Sequence, residues 1–159
     1  MDWPAALNAA VALPAAAAAI GLAWKSRAGR VRTVRSAGRT GDEAAAPTTA
    51  DASRGLGVAT EAFGESATLV QFSTAYCSRC PATARELASI AHDYVGVRHV
   101  EVDLTHRPDI ADRFRVLQTP TTLILDARGA TTARIAGVPR SNEVRDRLDE
   151  LTGRTRVPA

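Results

Sequence analysis

The fold of this chain is decided by a short stretch, AYCSRCPAT, at residues 75–83. It contains Cys77 and Cys80, the two cysteines of a 159-residue sequence, with two residues between them. Two thiols at this spacing can exchange electrons through a reversible disulfide, supply part of a metal site, or fill a core. The residues on either side of the pair distinguish these three possibilities.

A predicted strand precedes the cysteines and a predicted helix follows them. Residues 68–73, TLVQFS, form an apolar run with β-branched and aromatic side chains, which is typical of a buried strand. After the pair, apolar side chains recur at helical spacing over about 78–94. At a helix start, the unpaired N–H groups and the positive end of the macrodipole favour the thiolate form of Cys77. Arg79 adds a nearby cation, and Pro81 suits a first helical turn. This position favours redox exchange.

A metal site and an inert pair of core thiols are the alternatives. A structural zinc site needs four ligands. Besides the cysteines it would have to use His92, His99 and His106, which lie at scattered positions in the sequence. Inert thiols would be expected among apolar residues, whereas Ser78 and Arg79 separate these two.

The remaining pattern predicts a small α/β domain. Strands are expected at 68–73, 97–103, 121–126 and 131–137, and helices at about 78–94, at 108–114 and from 141 onward. The last two strands would form a hairpin around residues 127–130, and Ser141 is expected to cap the final helix. The predicted fold class is α/β, with a mixed four-stranded sheet flanked by helices on both faces.

The basic charge of the chain is concentrated in one segment. The formal net charge is +3. Six basic residues follow one another without an intervening acidic residue: Lys25, Arg27, Arg30, Arg32, Arg35 and Arg39. From Val58 onward, arginines and acidic residues are equal in number. Nucleic-acid binding requires a basic face on the folded part, so no nucleic-acid partner is expected.

The N-terminal residues predict a membrane anchor. Residues 3–24 carry no charge and would rise about 33 Å as a helix, enough to cross the bilayer core. Trp3 and Trp24 lie at the two ends, where amphipathic rings favour the membrane interface. A cleaved signal peptide or an alanine-rich soluble helix are the alternatives, but the first would begin with basic residues and the second would have a polar face. We therefore expect a transmembrane helix over 1–24, a basic juxtamembrane segment and flexible linker over 25–57, and a folded domain over 58–159.

The basic segment also predicts the side of the membrane on which the domain lies. Basic residues close to the end of a membrane helix stay in the cytoplasm, which places the domain there. Thiols are normally kept reduced in that compartment. The alternative is an extracytoplasmic domain whose basic segment binds anionic lipid headgroups.

From about Thr68 to Gly153 the chain resembles the thioredoxin family. The resemblance is carried by the strand TLVQFS, the motif Cys77-Ser78-Arg79-Cys80, the pair Thr119-Pro120 and Gly137 after the hairpin. The whole chain is also similar to membrane-tethered thioredoxin-like proteins of high-GC actinobacteria. Its excess of arginine over lysine, 19 to 1, agrees with such a source.

The resemblance implies a role for each of these residues. Cys77 would be the exposed nucleophile and Cys80 the buried resolving thiol, with the disulfide itself as redox centre and no other cofactor. Pro120 would be a cis-proline facing the disulfide, Thr119 would offer its backbone to a partner's extended chain, and Arg79 would tune the redox potential. The implied partners are protein disulfides or dithiols and an electron donor that the sequence does not identify.

The chain departs from the family pattern at three places. The dipeptide between the cysteines is Ser-Arg where Gly-Pro is usual, and this dipeptide tunes the redox potential. Tyr76 replaces the usual tryptophan. Gln71 occupies the position of a buried aspartate and cannot accept the proton of the resolving thiol, for which Glu101, His99 or water would have to substitute.

The sequence thus predicts a membrane-anchored thiol–disulfide oxidoreductase. The alternatives are a tethered redox-sensing or docking module without turnover, and a metal carrier that uses the two cysteines.

Overall fold

The computed structural model describes residues 32–33 and 48–153. The predicted transmembrane helix and most of the basic segment lie outside these residues. Among the helices of the described part, none is long and apolar enough to span a bilayer.

The described residues form five strands and four α-helices. In chain order these are β1 (Arg32–Thr33), α1 (Thr49–Leu56), β2 (Ala67–Ser73), α2 (Cys80–His92), β3 (Val97–Asp103), α3 (Pro108–Arg113), β4 (Thr121–Asp126), β5 (Thr131–Ala136) and α4 (Ser141–Thr152). A short 3₁₀ turn at Thr60–Ala62 precedes β2.

The strands form one mixed sheet in the order β1-β5-β4-β2-β3. Strands β2 and β3 are parallel, and the other neighbouring strands are antiparallel. The predicted mixed sheet with flanking helices is confirmed, and the two-residue strand β1 adds a fifth member at one edge. A βαβ unit such as β2-α2-β3 needs a crossover helix, which the apolar stripe of residues 84–94 supplies.

Strand β2 separates two apolar layers. All seven of its residues are buried, as expected for a strand covered on both faces. Ala67 and Leu69 point to the layer under α2 and α4, whereas Val70 and Phe72 point to the layer under α1 and α3. The rings of Phe72 and Phe114 lie 5.4 Å apart between their centroids, which attaches the end of α3 to the sheet.

Two parts of the region predicted as a basic juxtamembrane segment and flexible linker, residues 25–57, form regular structure. Residues 32–33 form β1, and residues 49–56 form α1. Thr48 and Asp51 form a capping box at the start of α1, in which each side chain binds the other residue's backbone N–H. Leu56 is 1% exposed and belongs to the apolar layer with Phe72. The folded domain therefore includes residues before Val58, because the capping box and the buried leucine offset the weak apolar content of the helix.

The role predicted for Ser141 is wrong. The N-cap of α4 is Arg140, which makes no capping side-chain hydrogen bond, and Ser141 is the first helical residue. The Ser141 hydroxyl instead donates to Oε1 of Glu86, 2.7 Å away, and so links α4 to α2. The apolar face predicted for this helix is confirmed, since Val144 and Leu148 are fully buried and Leu151 packs beside them.

Arg134 on β5 fixes the segment that leads from α3 toward β4. Its guanidinium donates to the carbonyl oxygens of Phe114 and Arg115, at 2.7 Å and 2.8 Å. Arg115 has a positive φ of 50°, so these bonds hold a turn that a non-glycine residue adopts rarely. Burial lowers the pKa of Arg134. The turn directs the chain into residues 117–120, which reach the end of the sheet where β2 terminates.

Candidate active site

Cys77 and Cys80 form a disulfide at the junction between β2 and α2. Their sulfur atoms are 2.00 Å apart and their Cα atoms 5.4 Å apart. Cys77 is half-buried, whereas Cys80 is 2% exposed and is the first residue of α2. Cys77 is therefore more accessible to solvent than Cys80, as the resemblance implied. The roles of nucleophile and resolving thiol remain predictions.

Short turns carry the chain from the end of β2 to the disulfide. The Cys77 N–H donates to the Thr74 carbonyl at 3.0 Å, and the Cys80 N–H donates to the Cys77 carbonyl at 3.2 Å. The Thr83 hydroxyl then bonds the carbonyl of Arg79, inside the first turn of α2. Such consecutive turns bring residues three apart close together, which is the spacing the disulfide uses.

The end of β3 supports the same loop. The N–H of Ala75 donates to the hydroxyl of Thr105 at 2.8 Å. Asp103 in turn accepts hydrogen bonds from the Thr105 hydroxyl and backbone N–H, and these bonds lower the pKa of Asp103. The loop that bears Cys77 is thus attached to the neighbouring strand, and the sequence pattern contained no indication of this contact.

Thr119 and Pro120 lie opposite the cysteines. The Thr119–Pro120 peptide bond is cis, as predicted. The Thr119 hydroxyl lies 3.3 Å from that of Thr74, beside the disulfide loop. Gly137 donates its N–H to the Pro120 carbonyl at 2.8 Å and has a φ of 90°, a conformation that side chains disfavour. Thr119, Pro120 and Gly137, on which the family resemblance rests, therefore lie next to Cys77.

These residues line an open groove beside Cys77. Its walls are Thr74, Tyr76, Cys77, Ser78, Arg79, Gln118, Thr119, Pro120, Gly137 and Val138. Ser78 and Arg79 are exposed on its rim. An open groove beside a disulfide can receive an extended polypeptide that carries the reacting sulfur.

Large apolar side chains are exposed around the same groove. Tyr76 is 90% exposed, Leu117 95% and Val138 43%. Leu117 and Val138 carried no signal in the sequence, because each lies in a loop whose position depends on tertiary contacts. Together the three define an apolar rim at the disulfide end of the sheet.

Gln71 lies on the layer beneath the disulfide. It is fully buried, and its Nε2 donates to the Cys80 carbonyl oxygen at 3.0 Å. Within the described part of the chain, Oε1 of Gln71 has no hydrogen-bond partner, and neither has the hydroxyl of Thr122 opposite it on β4. The amide therefore holds the backbone of Cys80 in place but offers no group that can take its thiol proton.

Neither Glu101 nor His99, the residues expected to replace the missing acid, forms a hydrogen bond to Cys80. Glu101 is opposite Gln71 on β3 but is exposed to solvent. His99 lies two residues earlier on the same strand, opposite Leu69, and its buried Nε2 has no partner among residues 32–33 and 48–153. Burial lowers the pKa of His99, an effect that the charge of Glu101 partly offsets.

The structure does not assemble a metal site from the three histidines. In the part of the chain that the structure describes, no group of three or more His, Cys, Asp or Glu side chains could hold a metal ion. His92 lies at the end of α2, and His99 is on β3.

Comparisons with known proteins agree with this geometry. The thioredoxin family model matches residues 59–150, which is more than half of the chain. Thioredoxin C-2 of Corynebacterium nephridii is 30% identical over 78 residues, which cover 48% of this chain and 72% of that protein.

Two solved structures show the same fold. The thioredoxin of Fasciola hepatica superposes with a TM-score of 0.50 at 21% identity, covering 65% of this chain and 94% of that one. A mutant thioredoxin of Halobacterium salinarum gives a TM-score of 0.50 at 17% identity, covering 59% of this chain and 80% of that one.

Replacing Gln71 by Asp would make stability fall as pH rises. Full burial raises the pKa of a carboxyl above its usual value of about 3.9, so the folded state would hold its proton more tightly than the unfolded state. The stability of Gln71→Asp should therefore be greatest below about pH 4 and decline as pH rises through the folded-state pKa. Urea unfolding across this pH range measures the change.

The matched control is Gln71→Asn, which has nearly the same shape as Asp but does not ionise. The difference in unfolding free energy between the two variants should widen from acid to neutral pH. Parallel curves would mean that position 71 is solvated and would contradict the assignment of a buried amide beneath Cys80.

Proposed function

This chain belongs to the thioredoxin family, and we propose that it works as a membrane-anchored thiol–disulfide oxidoreductase. Oxidoreductase activity follows from the family and from the Cys77–Cys80 disulfide, which is itself the redox centre, so that no separate cofactor is needed. The anchor, the side of the membrane and the roles of the individual residues belong to the proposal.

The difference in burial between the two sulfurs carries the proposed mechanism. In the reduced protein, the Cys77 thiolate attacks one sulfur of a client disulfide, and a mixed disulfide forms as the other client sulfur leaves as a thiolate. The Cys80 sulfur, deprotonated, then attacks Sγ of Cys77, restores the Cys77–Cys80 disulfide and releases the second client thiolate. The client gains two electrons and the pair loses two. A donor of two electrons must reduce the pair again, and the reverse sequence would oxidise a client dithiol.

The groove supports a polypeptide substrate. Thr119 and Ser78 both line the groove beside Cys77, so an extended client segment would lie between them, bound by the Thr119 backbone, with its sulfur over Cys77. Exposed Arg79 would add a cation near the reacting thiolate and so shift the balance between dithiol and disulfide.

A redox-sensing module without turnover is the second candidate. Gln71 favours it, because this buried amide stands where the family has an acid beneath Cys80, and Glu101 on the neighbouring strand is exposed to solvent. Slow deprotonation of Cys80 would prolong the mixed disulfide, which suits a switch better than a catalyst. The two candidates differ in whether the Cys77 adduct is resolved.

The membrane anchor is supported by the composition of residues 3–24 and by the tryptophans at both ends. We place the domain in the cytoplasm because basic residues follow the anchor. We also propose that the protein is of the same type as the membrane-tethered thioredoxin-like proteins of actinobacteria. An extracytoplasmic domain is the alternative.

Replacing Cys80 by Ser should trap clients. Cys77 can still attack, but no thiol remains to resolve the mixed disulfide, so adducts should accumulate in cells and disappear with dithiothreitol. The measurement is non-reducing electrophoresis of acid-quenched cells, after washing the membranes with alkaline carbonate. Adducts should stay with the washed membranes if the chain is anchored.

The control is the double variant Cys77→Ser, Cys80→Ser, which should give no adducts. If the single variant also gives none, Cys77 does not attack clients and the turnover proposal fails. If the unsubstituted protein accumulates as many adducts as the Cys80→Ser variant, Cys80 does not resolve them, which would favour the sensor. Adducts that appear in the carbonate wash would contradict the anchor while leaving the redox chemistry intact.

A cysteine at position 128 should report the side of the membrane. The Arg128 side chain is 74% exposed in the turn between β4 and β5, away from the disulfide. In the Cys77→Ser, Cys80→Ser background, a membrane-impermeant maleimide should label Arg128→Cys only after lysis. Labelling in intact cells would place the domain outside the cytoplasm.

A further inference from the structure

We infer that the disulfide faces the bilayer, so that its clients are disulfides in the juxtamembrane segments of integral membrane proteins. This inference rests on the membrane anchor proposed above. It adds an orientation, which follows from the direction of β1, from the length of the tether and from the surface around the groove.

The direction of β1 shows from which end the chain enters the sheet. β1 is antiparallel to β5, with Arg32 opposite Arg134 and Thr33 opposite Ala133. β5 runs toward Gly137, which lines the groove beside the disulfide. Because the two strands are antiparallel, the N-terminal end of β1 points toward that groove. The chain therefore comes to the sheet from the disulfide end.

The reach of the tether does not exceed the width of the domain. Only residues 25–31 separate the proposed anchor from β1. From Trp24 to Arg32, a fully extended chain spans at most about 29 Å, at roughly 3.6 Å per residue. A small domain is itself about 30 Å across. To turn the groove away from the bilayer, the same few residues would have to reverse direction and run back along the sheet edge, which uses most of their reach.

The surface at the disulfide end suits a membrane interface. Tyr76 and Val138 of the apolar rim line the groove, and Leu117 directly precedes Gln118 in its wall. Tyrosine favours the depth of the lipid headgroups. Exposed Arg79 beside it can meet anionic headgroups. The opposite end of the sheet, at the turn between β4 and β5, instead carries the exposed charge of Arg128. One other large apolar residue, Val95, is exposed in the described part of the chain. It lies in the turn between α2 and β3 and is not part of this rim.

This orientation selects a client class by distance. With the groove toward the lipid and only residues 25–31 between the proposed anchor and β1, Cys77 would sweep only a shallow layer above the bilayer. Cysteines in short segments next to membrane helices lie in that layer, whereas those of freely diffusing proteins enter it rarely. Confinement to the same surface raises the effective concentration of the juxtamembrane cysteines around Cys77.

Energy transfer from the domain to labelled lipid tests the orientation. The full chain, in the Cys77→Ser, Cys80→Ser background, is reconstituted into vesicles that carry an acceptor lipid, with a donor fluorophore on Ser78→Cys or on Arg128→Cys. We expect greater transfer from position 78 than from position 128. A matched variant with about 20 Gly and Ser residues inserted after Gly29 frees the tether and should bring the two positions close to equal.

The outcomes separate the orientation from the anchor. Equal transfer without the insertion, or greater transfer from position 128, overturns the orientation while leaving the membrane-anchored oxidoreductase in place. Failure of the labelled protein to float with the vesicles overturns the anchor, and the orientation with it.

Discussion

The double-sided burial of β2 is the constraint on which the rest of the structure depends. All seven residues of the strand are buried, with one apolar layer on each face and hydrogen-bonded neighbours at both edges. A strand so enclosed has no freedom to shift, because a slip of one residue would exchange the two layers. Its C-terminal end is therefore a fixed point, and Cys77 follows it after three residues. The helix that starts at Cys80 closes over one layer, so the sulfurs sit where a rigid strand meets the unpaired N–H groups of a helix.

Local sequence patterns account for the parts of the fold that could be predicted. The apolar runs of β2, β3, β4 and β5 are local patterns, so their positions followed from the sequence to within a residue. β1 consists of two residues without such a pattern and exists only because it pairs with β5. α1 escaped prediction because its sequence, TADASRGL, has few apolar residues and reads as a linker. Its capping box and the burial of Leu56 became informative only once the sheet supplied a surface to pack against.

The candidate site divides in a similar way. Cys77 and Cys80 were found from motif and spacing, and Thr119 and Pro120 from the family resemblance. The structure brings Cys77, Thr119 and Pro120 to one groove, with Cys80 buried behind Cys77 in the disulfide. The support given by Thr105 and Asp103, and the rim residues Leu117 and Val138, depend on contacts between distant segments and have no local signature. Gln71 was recognised as a departure, but its contact was not. The buried amide donates to the backbone of Cys80, so the position stabilises the geometry of the pair without supplying a base.

Competitive alkylation of the reduced protein directly measures the asymmetry between the two sulfurs, on which the proposed mechanism depends. Cys77 is half-buried and is reached through the groove, whereas Cys80 is enclosed at 2% exposure. At about pH 6 an ordinary thiol is almost wholly protonated, so a limiting amount of iodoacetamide selects the sulfur with the most thiolate and the best access. Peptide mapping by mass spectrometry should then find Cys77 modified at least about tenfold faster than Cys80. Equal rates, or faster modification of Cys80, would contradict the assignment of nucleophile and resolving thiol.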